Sequence, residues 1–329
     1  MTTRSSQGDA QDIMLFDLII IGGGPAGITA GIYAARKNLK TLLIAKDFFG
    51  LAGTATRVEN WPGDFGVSGM ALMQKLEKHL RALPIEIKCT RSDLVQACTR
   101  SDLVQAFCVG VSGGDEFTAR AVIVATGAAP RALNVPGEKE LAGRGVSYCA
   151  TCDGPFFKDK AVFVVGGGNS GFSTALEMAK FAKKVYLVDK QEKLAADPVL
   201  QIQARENKKI EILVNTILLG IEGEKKVQAI IYKNLKTGKT FQQPMDGVFA
   251  QIGAAPNTDF LGGLLALNEK NEIKIDPSTG AASLPGVFAA GDCTDAPYKQ
   301  MIVAAGAGAV AALSAYKYLG KDPSAIASG

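Results

Sequence analysis

Residues 16–27 read FDLIIIGGGPAG, an apolar run that ends in a GxGxxG loop. An uninterrupted apolar run of this kind is the mark of a strand buried on both faces. The loop opens a helical pattern, ITAGIYAARKN (28–38), and a second apolar strand, TLLIA, follows at 41–45. Strand, glycine loop, helix and strand together make a dinucleotide-binding unit. Gly22 permits the tight turn, Gly24 lets the backbone approach a pyrophosphate, and Gly27 lets helix and strand pack closely. The helix N-terminus stabilises the anion.

The pattern recurs. AVFVV (161–165) is a strand, GGGNSG (166–171) is its loop, a helix follows, and VYLV (185–188) closes on Asp189. The candidate binding residues of this second loop are Gly166, Gly168, Asn169, Ser170 and Gly171. Two dinucleotide folds in one chain imply a donor and an acceptor, the arrangement by which a flavoprotein passes hydride from nicotinamide to flavin. Two similar segments, VIVATGAAP (122–130) and VFAQIGAAP (248–256), bracket the second fold. Beyond them GVFAAGD (286–292) is a strand ending in an acid suited to hold the ribityl or phosphate region of a flavin. The fold class is therefore α/β, with two Rossmann-like domains, the nicotinamide domain inserted into the FAD domain. The predicted boundaries are a disordered tail over 1–13, FAD-binding segments over 14–128 and 256–329, and a nicotinamide-binding domain over 129–255.

The bulk numbers agree with a two-domain soluble protein. The chain has 329 residues, 47% hydrophobic and 21% charged, with a net charge of +4. No Lys/Arg run is dense enough for nucleic-acid binding. The first 13 residues lack the apolar core of an export signal, and the apolar stretch 301–313 is shorter than the roughly 20 residues of a membrane span, so it reads as a buried helix. A cytoplasmic location, with no nucleic acid or membrane partner, is expected. Six cysteines in such a chain do not form a disulfide framework, and a close pair in a reducing compartment is more often catalytic or metal-binding than structural.

Several motifs occur in the same order as in the low-molecular-weight thioredoxin reductases and the flavoprotein reductase module of alkyl hydroperoxide reductase. They are GGGPAG (22–27), VENWPGD (58–64), ATG (125–127), GRGVSYCATCDG (143–154), GGGNSG (166–171) and GVFAAGD (286–292). Over about residues 15–320 the chain resembles that family. The resemblance implies cofactor contacts from Pro25, Ala26, Asn60, Ala125, Thr126, Gly127, Gly291, Asp292, Lys299, Gln300 and Met301. It also implies homodimerisation and a hinge rotation at 127–131 and 253–257.

The stretch YCATCDGPFF (148–157) holds the chemistry. A metal site needs further ligands. Cys89, Cys98, Cys108 and Cys293 have no such spacing, and the one histidine, His79, sits in the charged helix KLEKHLRAL (75–83), so no metal is expected. A redox dithiol fits, with Asp153 as the nearest proton donor. By resemblance, Cys152 contacts the flavin, Cys149 attacks the partner's disulfide, and Asp153 moves the proton. Asp153 is also suited simply to open the turn before Gly154. Phe156 and Phe157 form either an apolar docking patch or buried core. By resemblance an aromatic pair here docks thioredoxin, although Pro155 offsets the spacing, and Arg144 matches a docking position more directly.

The sequence departs from the family at Phe49-Gly50-Leu51, where a glycine pair and glutamine are usual; Asp47, just past the second strand, is the candidate for the ribose contact. A perfect tandem repeat, CTRSDLVQA at 89–97 and again at 98–106, reads as a duplication in a surface β-excursion. Cys89 and Cys98 are then copies of one incidental cysteine, and Cys293 is a small buried residue near the flavin. Asp189 stands where an acid accepts hydrogen bonds from the ribose of NADH and repels a 2′-phosphate. No arginine follows before Arg205, so NADH is expected over NADPH. The expected activity is FAD-dependent reduction of a thioredoxin-like or glutaredoxin-like protein. A supply line to a peroxiredoxin system, a ferredoxin-dependent reductase and a nucleotide-sensing flavoprotein are the alternatives.

Overall fold

A computed structural model describes residues 15–55, 58–98 and 106–320, without the side chains of residues 151 and 152. The tail predicted over 1–13 and most of the second repeat copy lie outside the described residues. The chain divides into two compact units, one of residues 1–52, 71–128 and 256–329, the other of 53–70 and 129–255.

In the first unit the opening run forms β1 (Leu15–Ile21), α1 (Pro25–Arg36) and β2 (Thr41–Ala45). Next come the one-turn helix α2 (Gly50–Gly53), α3 (Gly69–Arg81), β3 (Glu86–Cys89), β4 (Ser92–Cys98), β5 (Ala106–Val111) and β6 (Glu116–Val124). The sheet runs β3-β2-β1-β6-β5-β4. β1 pairs in parallel with β2 and β6, while β5 is antiparallel to β6 and to β4. Leu18 and Ile20 pack on one face of this sheet, Phe16 and Ile19 on the other. Burial on both faces is why the strand carries no polar alternation.

The second unit begins at β7 (Ala128–Pro130) and continues through β8 (Val146–Ser147), the turn α4 (Ala150–Asp153), β9 (Ala161–Val165), α5 (Asn169–Phe181) and β10 (Lys184–Val188). α6 (Pro198–Glu206) and β11 (Ile210–Leu213) complete a parallel sheet ordered β11-β10-β9-β15-β8. An antiparallel sheet of β12 (Thr216–Glu222), β13 (Ala229–Asn234) and β14 (Thr240–Pro244) precedes β15 (Gly247–Ala250). The chain leaves through β16 (Ala254–Pro256), which pairs with β7 where it entered. It then adds β17 (Val287–Ala289), parallel to β6, and α7 (Met301–Gly320) to the first unit.

α7 is long and apolar enough to cross a membrane. Its Ala304, Ala311, Ala312, Ala315 and Leu319 are buried in the first unit's core. Gly308 lies so close to α1 that an added Cβ would stand 2.1 Å from the Ala26 carbonyl oxygen. The Ala/Gly composition is thus what a close helix–helix packing requires.

Cys98 is not the incidental copy that the repeat suggests. The first copy forms the edge strand β4, and Cys98 is disulfide-bonded to Cys108 of β5, with Cα atoms 5.7 Å apart. Spacing alone hides this bond, because it depends on the register of two antiparallel strands.

The two glycine loops share one geometry. At Gly22 φ is +122° and an added Cβ would lie 2.1 Å from the Ala125 carbonyl oxygen; at Gly166 φ is +130° and the clash, with Gln251, is also 2.1 Å. A Cβ on Gly27 would stand 1.9 Å from the Gly22 carbonyl oxygen, and one on Gly171 1.7 Å from that of Gly166. Gly27→Ala and Gly171→Ala are each expected to cost about 1–3 kcal/mol or more of stability by forced overpacking. Gly24→Ala, where no described atom lies within 4 Å of the added carbon, should cost far less. Urea denaturation of the three variants measures the difference.

Candidate active site and nucleotide loops

Each loop delivers its helix N-terminus without a side-chain cap: the N-cap residues are Gly24 for α1 and Gly168 for α5. The space a Cβ would take at Gly24 and Gly168 is open among the described residues. Uncapped N–H groups beside open backbone form a cradle for phosphate. These loops therefore fit a dinucleotide pyrophosphate on chemical grounds. Pro25 and Ala26 open α1, and Asn169 and Ser170 open α5. Asn169 also exchanges hydrogen bonds with Asp197, its amide donating at 3.1 Å and its oxygen accepting from the Asp197 N–H at 2.7 Å.

The acids after the second strands behave differently. Asp189 accepts from the Gly167 N–H at 2.6 Å and from the Gln191 N–H at 2.7 Å, so its carboxylate hangs directly on the glycine loop. Asp47 accepts from the N–H groups of Phe49 and Gly50, both at 3.0 Å, and starts α2 at the Phe49-Gly50-Leu51 departure.

Ala125, Thr126 and Gly127 follow β6. The Thr126 hydroxyl donates to the Asn257 carbonyl at 2.7 Å, and the Asn257 amide donates back to Thr126 at 2.9 Å. Gly291 and Asp292 follow β17. Burial pushes the Asp292 carboxyl up, and Lys299 draws it partly back. The Lys299 ammonium bonds the carbonyls of Asp292 and Thr294 and pairs with Glu272 at 2.9 Å, just before Gln300 and Met301 open α7. Asn60 is exposed in the segment after the Val58 bridge. Cys293 is fully buried and its thiol is pushed up by burial; it bonds the carbonyls of Val124 and Ala290. Such a thiol is inert packing.

Cys149 lies between β8 and α4 and is disulfide-bonded. Cys152 lies in α4, with its side chain outside the described residues. The Cys149 N–H donates to Ser147 Oγ at 3.1 Å, and the Cys149 carbonyl accepts from the Asp153 N–H at 3.2 Å. Gln251 holds the neighbouring Tyr148 carbonyl at 3.2 Å. Glu138 supports the turn from below. It is 2% exposed and accepts from the N–H groups of Leu133 and Asn134 and from the Tyr148 hydroxyl, each at 2.7 Å. No sequence signal marks Glu138 or Tyr148, since a buried acid in VPGEKEL looks like any surface acid. Burial, then the bond to the Glu138 carboxylate, raises the Tyr148 phenol to about 12.

The aromatic pair divides. Phe157 is buried, edge-on to Phe249 with ring centroids 5.2 Å apart, against a spot where Gly247 leaves no room for a Cβ. Phe156 is 71% exposed. Lys160 ties the turn together by donating to the Phe156 carbonyl at 2.8 Å. Arg144, Ser147, Asp153, Phe156, Lys160 and Lys226 line a cleft of about 240 Å³ in this unit. His79 is exposed on α3, and among the described residues no three His, Cys, Asp or Glu side chains gather as a metal site.

Residues 16–308 match the pyridine nucleotide-disulphide oxidoreductases. The chain belongs to that family. FAD and NAD(P)H are the cofactors that membership implies. The chain is 40% identical over 305 residues to an alkyl hydroperoxide reductase subunit of Pseudomonas putida, covering 92% of this chain and 58% of that protein. It is 40% identical over 308 residues to a thioredoxin reductase of Mycolicibacterium smegmatis, covering 93% and 97%. Its fold matches the thioredoxin reductase of Lactococcus lactis in its FR conformation with a TM-score of 0.86 at 35% identity, covering 92% and 98%. The chain spans only 57–60% of the longer curated relatives, proteins named as alkyl hydroperoxide reductase subunits or as NADH dehydrogenase.

The Tyr148 phenol has a direct test. Its folded pKa lies above the unfolded value of 10.0. Its contribution to stability is therefore complete below pH 10 and is lost as pH rises towards 12. Burial also pushes the Tyr232 phenol up, so absorbance titration should show more than one late-ionising tyrosine, of which one is lost in Tyr148→Phe and moves down in Glu138→Gln.

Proposed function

We propose that this chain is an FAD-dependent disulfide reductase that passes electrons from NADH to the Cys149/Cys152 dithiol and on to a thioredoxin-like or glutaredoxin-like protein. The observation that carries the reading is a disulfide-engaged Cys149, held by Ser147 on a turn that also bears Asp153, in a chain with two phosphate cradles. The first unit would hold FAD and the second nicotinamide; bound, they would supply an electron store and a hydride donor. The net reaction is NADH, a proton and a protein disulfide giving NAD⁺ and a protein dithiol.

The residues divide the work. Cys149 as a thiolate attacks the partner's disulfide, forming a mixed disulfide. Cys152 then attacks Cys149 and releases the partner's second thiolate, which takes its proton from Asp153. Arg144, Lys160 and Lys226 around exposed Phe156 favour a partner with an acidic rim and an apolar centre. Homodimerisation and a cytoplasmic location belong to the same reading, and the outward row Ile302, Val310, Leu313 and Tyr316 on α7 supports the dimer. Delivery to a peroxiredoxin through a separate carrier is a second reading, favoured by the relatives named as alkyl hydroperoxide reductase subunits.

Asp189 supports NADH. Each of its oxygens already accepts one backbone bond and keeps a lone pair for a ribose hydroxyl, while a 2′-phosphate there meets a carboxylate. The expected preference in kcat/KM is about 10–100-fold, the size of one charged hydrogen bond gained and a repulsion avoided. Asp189→Ala should narrow it. A clear NADPH preference in the unmodified protein defeats the assignment, and flavin that neither nucleotide bleaches anaerobically moves the reading to ferredoxin or to nucleotide sensing.

Cys149→Ser and Cys152→Ser should each abolish thioredoxin-like disulfide reduction while nicotinamide still bleaches the flavin. Turnover at the unmodified rate in either variant would remove the dithiol from the pathway.

A further inference from the structure

The tandem repeat has no part in the chemistry above, yet its second copy supplies the cysteine that bonds to Cys108. In the observed register Val95 faces Val109, Ala97 faces Phe107 and Cys98 faces Ala106. Cys98 and Cys108 are therefore diagonal neighbours on one face of the β4–β5 ladder. Because the copies are identical, the sequence offers β5 a second partner strand nine residues further on. That slipped pairing would set Val104 against Val109 and force Ala106 and Phe107 to make a two-residue turn. Such turns need positive φ, which neither residue favours, and Phe107 is fully buried in the core. Packing thus selects the first copy. Only in that register does Cys108 have a cysteine within reach.

We propose that Cys98 and Cys108 form a second thiol–disulfide site, independent of Cys149, whose closed form locks the first repeat copy onto β5 and which a dithiol reductant opens slowly. The incoming thiolate attacks Cys98 Sγ, the half-buried sulfur on the edge strand. The S–S bond breaks and Cys108 leaves as a thiolate that takes up a proton, with Thr118 Oγ1 3.9 Å away. The reductant's second thiol then closes its own disulfide and frees Cys98, so two electrons and two protons reach the protein. A disulfide compound of the same class reverses the step. Cys108 is 8% exposed. That burial limits access of an incoming thiolate to the bond, and restricted access makes exchange slow. The site is a durable staple, whereas Cys149 is built to turn over.

The test uses the full chain, with free thiols blocked by N-ethylmaleimide at lysis. Trypsin without reductant releases peptides 92–100 and 101–120, and the two should be found joined. Graded dithiothreitol on the native protein should open the peptide bearing Cys149 first and part 92–100 from 101–120 only at higher concentration and longer exposure. Cys98→Ser should lower the thermal unfolding midpoint by several degrees, with flavin content and flavin bleaching by NADH unchanged. Native protein with Cys98 and Cys108 both blocked at lysis overturns the proposal. So does opening of both sites at one dithiothreitol concentration, or an unaltered midpoint in Cys98→Ser. The peptide mapping, the dithiothreitol series and the unfolding midpoint do not depend on which nucleotide or protein partner the chain uses.

Discussion

The approach of the α1 backbone to the carbonyl oxygen of Gly22 governs the first unit. The helix can start directly over the strand end only if its third residue has no side chain, since a Cβ at Gly27 would sit 1.9 Å from that oxygen. The same constraint acts at Gly171 over Gly166. With the helix pressed this close, β1 must end under it, and β6 must bring the Ala125 N–H to the Ile21 carbonyl at 2.7 Å. In the second unit the Gln251 N–H reaches the Val165 carbonyl at 2.8 Å. The path of the chain from strand end to helix start follows from that contact in both units.

The cysteine turn depends on a different physical fact. A carboxylate can be almost wholly buried when every lone pair it exposes is taken by a donor. Glu138 takes two backbone N–H groups and a phenol, and thereby ties Leu133 and Asn134 to the residue next to Cys149. Above it, Ser147 Oγ receives the Cys149 N–H. Cys149 is thus placed by a buried carboxyl group, a hydroxyl and a backbone turn. Packing contributes through Ala150 and Phe157, which lie in one buried cluster.

The sequence is legible along the same division. The glycine loops can be read because Gly22, Gly27, Gly166 and Gly171 stand where a Cβ would strike backbone, so residue type follows from geometry there. The placing of Cys149 and Cys152 on one short turn can be read because their spacing is local. Glu138 and Tyr148 are silent, since their roles come from burial that no short window encodes. The split between Phe156 and Phe157 is equally silent: a short 3-10 turn sends adjacent side chains to opposite sides, and the choice of side is made by Gly247 in a strand far along the chain. The Cys98–Cys108 bond eludes spacing rules because strand register creates it, and duplication disguised Cys98 as a spare.

Two loops with the same glycines are distinguished by the residues just past their second strands. β10 ends at Val188, and Asp189 is the next residue, close enough to accept from the Gly167 N–H. β2 ends at Ala45, and Asp47 comes two residues later, with its carboxylate turned to the start of α2. At Gly23 the loop meets the Asp47 main-chain oxygen, whereas at Gly167 it meets the Asp189 side chain. Both strands have five residues, so one extra residue past the strand end moves the acid from the glycine loop to the start of a helix. Asp189 takes one N–H on each oxygen, the first from the glycine loop itself, while Asp47 takes the Phe49 and Gly50 N–H groups on a single oxygen and fixes the path of the chain into α2. The duplicated fold supplies two equivalent phosphate cradles, and the difference between them lies in this offset and not in the glycines.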